Sequence, residues 1–182
     1  MTERYRAPRL LEASDGLGDF TCSSDEQTAW LHRHARQANA SGTAKVLVVT
    51  EANSTDVIAY YAWAMASITA NDAPARLLKG SGRYPQPVAL LARLGVHLAH
   101  ERQGLGAALL KDVIGRVSEL GASSGCRGLL IHAETEAAHD FYLHLIPEIE
   151  QSPTDPLHLV LLLKDIRHTL RKPSELDVDL GA

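Results

Sequence analysis

The residues with the clearest chemistry lie at 101–107, Glu101-Arg102-Gln103-Gly104-Leu105-Gly106-Ala107, between an apolar run at 88–97 and an amphipathic stretch. A strand that ends in a glycine-containing turn and restarts as a helix points several unpaired backbone N–H groups at one spot. With the positive end of the helix dipole, those donors form a site for phosphate oxygens. The two glycines divide the work: one can take a positive φ, and the other lets a ligand approach the backbone closely. Alone, the segment reads as a binder of a phosphorylated cofactor. A second signal stands downstream, Phe141-Tyr142 late in another predicted helix.

The elements that must position these residues follow from pattern. Residues 1–17 read as a polar, loop-like extension with Pro8 and Gly16. Ser24-Asp25-Glu26-Gln27 places a capping hydroxyl three residues before a glutamine, which predicts a helix from there to about 40, stopping near Ser41-Gly42. Residues 45–50 and 57–69 are rich in β-branched and aromatic residues and predict strands, with Tyr60, Tyr61 and Trp63 alternating in burial. Residues 72–87 form a long connection with Pro74, Pro85, Pro87, Gly80 and Gly82, and long ordered loops are often functional. The central strand follows at 88–97, then a helix after Gly104 that Gly121 is expected to stop. A strand at 127–132, a helix at 135–145 ended by Pro147, and a strand at 158–163 complete the pattern, with residues 166–182 read as a polar tail. This alternation predicts a single α/β domain over 18–165, with a mixed central sheet flanked by helices.

Composition narrows the class. The chain has 182 residues, 45% hydrophobic and 22% charged, enough for one core without staples. No apolar run reaches the roughly 18 residues of a membrane span, and the start Met1-Thr2-Glu3-Arg4 lacks the apolar core of a signal peptide. Cys22 and Cys126 are isolated, which predicts neither disulfide framework nor zinc site and suits a reducing, cytoplasmic setting. His97 and His100 have no carboxylate or third histidine at ligand spacing, so no metal is expected. The net charge of -4 conceals an asymmetry: cations gather between 76 and 116, whereas the carboxyl third is acidic. That distribution is compatible both with a basic face for an anionic ligand and with ordinary surface scatter.

The order of elements, with a glycine turn after a central strand and a tyrosine late in the following helix, resembles the GNAT acyltransferase family. It is most similar to the GNAT toxins of bacterial type II toxin–antitoxin modules. The likeness runs from about 20 to 164. It is carried by Phe20-Thr21-Cys22, Trp30-Leu31, Ile58-Ala59-Tyr60-Tyr61, Ala92-Arg93-Leu94-Gly95-Val96, Gln103-Gly104-Leu105-Gly106, and His132-Ala133-Glu134 leading to Phe141-Tyr142. Two departures stand out. Glu101 occupies the position where the family's pyrophosphate motif carries Gln or Arg, and Leu145-Ile146-Pro147 replaces the usual Gly-Phe.

The resemblance implies an N-acetyltransferase using acetyl-CoA, with Arg102, Gln103, Gly104, Leu105, Gly106 and Ala107 binding the coenzyme phosphates. Leu94, Gly95 and Val96 would hold the thioester and pantetheine, with Phe141 beside them. Tyr142 would be the general acid for the sulfur; its hydroxyl, with a reference pKa of about 10, is protonated at neutral pH. No carboxylate stands out as a base. That suits an α-amino acceptor, near 7.7–8.0, better than a lysine at about 10.4. The toxin likeness implies the same acceptor, aminoacyl-tRNA, and a block on translation. It also implies neutralisation by a small ribbon-helix-helix antitoxin, and a homodimer. Phosphate contacts then need cations, and the candidates are Arg33, Arg36, Arg76, Lys79, Arg83 and above all Arg93. The alternatives are a GNAT enzyme acting on a small amine or protein amino group, and a silent coenzyme-binding module favoured by Glu101.

Overall fold

The computed structural model describes residues 4–171. Its strands are β1 (Arg9–Leu10), β2 (Lys45–Thr50), β3 (Val57–Ile68), β4 (Gln86–Val96), β5 (Gly128–His132), β6 (Glu150–Gln151) and β7 (His158–Leu162). The helices are α1 (Asp25–Arg33), α2 (Ala35–Ser41), α3 (Ala75–Leu78), α4 (Leu105–Ser123), α5 (Glu136–Leu145) and α6 (Leu163–Arg171). The strands form a mixed seven-stranded sheet in the order β1-β2-β3-β4-β5-β7-β6, with β4 and β5 parallel. An α/β architecture with a mixed sheet is the class the sequence predicts. The chain divides into two compact units, residues 1–64 with 92–112, and 65–91 with 113–182.

In the first unit, α1 starts where the capping signal places it: the Ser24 side chain accepts from Gln27 N–H. The predicted single helix is in fact two, because the backbone turns at His34 (φ −123°) before α2, which closes on Gly42 at φ +78°. Tyr60 and Tyr61 are both fully buried, so the expected alternation fails. The sheet is covered on both faces here, and each phenol finds an acceptor at 2.6 Å, Gln27 O for Tyr60 and Asp112 Oδ2 for Tyr61. A buried hydroxyl without such a partner would be costly.

The amino-terminal segment also differs from expectation. Arg9 and Leu10 pair antiparallel with Val48 and Leu47 of β2, and Leu11 and Leu17 are buried. A polar knot adds to that packing: Arg9 donates from Nη1 and Nη2 to the two oxygens of Asp15 at 2.9 and 2.6 Å, and Glu12 N–H adds a third bond at 2.8 Å. The Asp15 side chain is fully enclosed. Burial pushes its pKa up, but those bonds and the cations Arg9 and Arg36 outweigh it, leaving the carboxyl below its ordinary value.

In the second unit, Ile68, Leu77, Val88, Leu130, Val160 and Leu162 form a core. The long connection contains the short helix α3 after Pro74. Gly121 does not stop α4, which continues to Ser123; a Cβ at Gly121 would fall 2.6 Å from Leu163 Cδ2, so the glycine serves close packing. The predicted tail begins instead as α6, with Ile166 fully buried, while residues 172–182 lie outside the described residues. No helix among the described residues is long and apolar enough to cross a membrane.

Candidate active site

The candidate residues of the first unit sit at the end of β4. Leu94 and Val96 are half-buried and Gly95 is buried. A Cβ at Gly95 would meet Tyr60 Cε1 at 3.0 Å, Phe20 Cζ at 3.3 Å and Cys22 Sγ at 3.4 Å, so the strand end is pressed onto an aromatic cluster that only glycine admits. Beyond it, His97 N–H donates to Ile58 O at 2.7 Å and Leu98 N–H to Thr21 O at 2.9 Å, which fixes where the strand stops.

The chain then makes a 3-10 turn over Leu98–His100 and enters the glycine loop. Arg102 lies at φ +58° and Gly104 at φ +81°. A left-handed arginine costs on the order of 1–2 kcal/mol, and such strain recurs where a loop serves a ligand. The first helical bond of α4 runs from Ala108 N–H to Gly104 O at 3.0 Å. Leu105, Gly106 and Ala107 therefore belong to the helix start, whose N–H groups have no intrahelical acceptor. The Arg102 side chain is exposed. That of Gln103 is occupied, since its Oε1 accepts from Arg4 and from Tyr5. No local pattern points to those two partners, which lie almost a hundred residues away.

Tyr142 belongs to the second unit, on α5, whose cap Thr135 accepts from Ala138 N–H at 3.1 Å. The ring is 6% exposed and meets Phe141, itself 36% exposed, edge-on at a centroid distance of 5.3 Å. Among the described residues its hydroxyl has no hydrogen-bond partner. Desolvation raises the phenol's pKa well above its ordinary value, so it stays protonated.

The six predicted cations differ in how free they are. Arg33, Lys79 and Arg83 are exposed. Arg93 pairs with Glu26 and lies over the Trp30 ring, 5.7 Å from its centroid. Arg36 is spent on the backbone, donating to the carbonyls of Glu12 (3.1 Å) and Asp15 (2.6 Å), and Arg76 is bound between Glu150 and Asp165 at 3.3 and 3.0 Å. The fold adds three cations that the sequence reading missed. Arg127, Lys164 and Arg167 join the predicted Arg76 and Lys79 in lining one cleft of about 280 Å³ in the second unit. They come from three separate stretches of chain, so no local pattern could have grouped them.

Comparison with known proteins accords with this geometry. A sequence model of the acetyltransferase (GNAT) family matches residues 23–145. A tRNA-acetylating toxin of Mycobacterium tuberculosis (strain ATCC 25618 / H37Rv) is 37% identical over 163 residues, 90% of this chain and 95% of that protein. Among solved structures, AtaT complexed with acetyl-methionyl-tRNAfMet superposes with a TM-score of 0.82 at 20% identity, covering 90% of this chain and 98% of the other. A mutant AtaT toxin bound to the C-terminus of the antitoxin AtaR and acetyl-CoA gives 0.76 at 21% identity, covering 91% and 97%. With two thirds of its length matched in sequence, and with the glycine loop and the Tyr142 helix in order, the chain belongs to the acetyltransferase (GNAT) family.

Proposed function

We propose that the protein is a toxin that transfers acetyl from acetyl-CoA to the α-amino group of aminoacyl-tRNA, which blocks translation until a cognate antitoxin neutralises it. The observation that carries this reading is the 37% identity to a tRNA-acetylating toxin across 90% of the chain. The reading places it in the cytoplasm, where charged tRNA and acetyl-CoA occur. It takes the antitoxin to be a small ribbon-helix-helix protein and the working toxin to be a homodimer.

Acetyl-CoA supplies the acetyl group already activated as a thioester. The residues of the glycine loop fit its phosphates: the helix-start N–H groups of Leu105, Gly106 and Ala107 converge there, and Gly104 supplies the positive φ. Glu101 adds nothing to that grip. The strand end at Leu94, Gly95 and Val96 offers backbone N–H to the thioester carbonyl, where negative charge develops as the amine attacks. The C–S bond then breaks, and Tyr142 gives its hydroxyl proton to the departing sulfur and regains one from solvent. The new amide nitrogen sheds its extra proton to water. An α-amino group needs no strong base to reach the neutral form, in keeping with the absence of an obvious carboxylate base in the sequence.

For tRNA, Arg33, Lys79, Arg83 and Arg93 stay as phosphate contacts and Lys164 and Arg167 join them, whereas Arg127 is spent on Leu77 O at 2.7 Å. Arg36 and Arg76 serve the fold first. A silent coenzyme-binding module is the second reading, favoured by Glu101 alone.

A cell-free translation reaction tests the proposal. The protein with acetyl-CoA is expected to arrest synthesis, and N-acetylated aminoacyl-adenosine is expected after nuclease digestion of the tRNA. No arrest, or arrest without acetyl-CoA, contradicts it.

A further inference from the structure

The glycine loop carries Glu101 where its family motif carries glutamine or arginine, and a carboxylate cannot bind a phosphate. The fold brings a cation to the same loop from the other end of the first unit. Residues 4–6 run along the end of β2: Arg6 N–H donates to Thr50 O and Ala52 N–H to Arg4 O, both at 3.0 Å, and Tyr5 bridges Glu51. That placement lays two side chains on the loop. Arg4 Nη1 donates to Gln103 Oε1 at 2.9 Å, and the Tyr5 hydroxyl donates to the same oxygen. The Tyr5 oxygen also lies 3.1 Å from His100 Nδ1, with the two rings edge-on at 5.7 Å.

Arg4 is thereby oriented on three sides. Its Nε donates to Glu51 at 3.0 Å, its Nη1 to Gln103, and its guanidinium lies over the Tyr5 ring at 5.0 Å. Among the described residues Nη2 has no acceptor, and the side chain is 57% exposed. A guanidinium fixed at one edge and open at the other is the form in which arginine binds phosphate.

Given the acetyl-CoA reading above, we propose that Arg4 is a ligand of the coenzyme pyrophosphate, supplying from the amino-terminal segment the side-chain donor that position 101 lacks. Tyr5 is a positioning residue that holds Gln103, and with it the loop, in place for Arg4.

The test compares donors with and without phosphates on the full-length protein. Arg4→Gln is expected to lower kcat/KM for acetyl-CoA about tenfold through KM, the worth of one charge-assisted hydrogen bond at a partly exposed site. Arg4→Lys should recover most of the loss, and Glu101→Arg placed on Arg4→Gln should rescue it. S-acetyl-pantetheine, which has no pyrophosphate, should be used equally well by wild type and Arg4→Gln, while dephospho-acetyl-CoA should show the same penalty as acetyl-CoA. An unchanged KM for acetyl-CoA overturns the proposal. So does an equal loss with S-acetyl-pantetheine, which would make Arg4 merely structural, or a penalty that vanishes with dephospho-acetyl-CoA, which would move Arg4 to the ribose phosphate. Failure of the wild type to bind acetyl-CoA at all would instead refute the acetyltransferase reading.

Discussion

Tyr60 stands directly against the strand-end glycine, and a Cβ at Gly95 would come to 3.0 Å from its Cε1. The Tyr60 hydroxyl is held at the same time by Gln27 O at 2.6 Å, and Trp30 stacks beside its ring at a centroid distance of 6.0 Å. The ring therefore has little room to give. Gly95→Ala is expected to cost about 1–3 kcal/mol of stability by overpacking and, if the same strand end meets the thioester as proposed, to raise KM for acetyl-CoA. Thermal unfolding together with KM checks this; an unshifted melting point would show that the cluster yields.

Arg9 and Asp15 lead to a pH prediction. The folded Asp15 carboxyl titrates below its unfolded value of about 3.9. Its contribution to stability is thus present in full above that value and is lost as pH falls through the lower, folded one. Arg9→Met leaves the enclosed carboxylate without its partner and should cost about 3 kcal/mol near neutrality. Urea midpoints between pH 3 and 7 measure both effects, and the variant should show a much flatter acid limb.

Lys164 and Arg167 are exposed on α6 at the basic cleft. Replacing both by alanine should weaken tRNA binding and reduce the slope of log affinity against log salt by up to about 2. Acetyl-CoA binding, measured by calorimetry, should stay unchanged. An unaltered salt slope would remove this cleft from the tRNA surface.

What was legible in the sequence was local. Ser24 three residues before Gln27, Gly42 after α2 and Gly104 before α4 each state a backbone requirement within a few positions, and the structure meets all three. What was illegible depends on residues far apart. Arg9 and Leu10 look like loop until β2 lies beside them, and Gly121 looks like a helix stop until Leu163 packs on it. Tyr60 and Tyr61 break the period of two because both faces of β3 are covered. The candidate site divides the same way. The glycine loop could be named from spacing and Tyr142 from the family resemblance, whereas Arg4 on Gln103 and the joining of Arg127 with Lys164 are products of folding.

The most direct measurement is transfer of labelled acetyl from acetyl-CoA to charged tRNA by wild type and Tyr142→Phe. The buried phenol is held protonated, so its loss should lower kcat about a hundredfold or more while acetyl-CoA binding persists. Label on the aminoacyl group with wild type and nearly none with the variant is the predicted result. Wild type that binds acetyl-CoA but labels no tRNA, or a Tyr142→Phe enzyme as fast as wild type, would contradict the account.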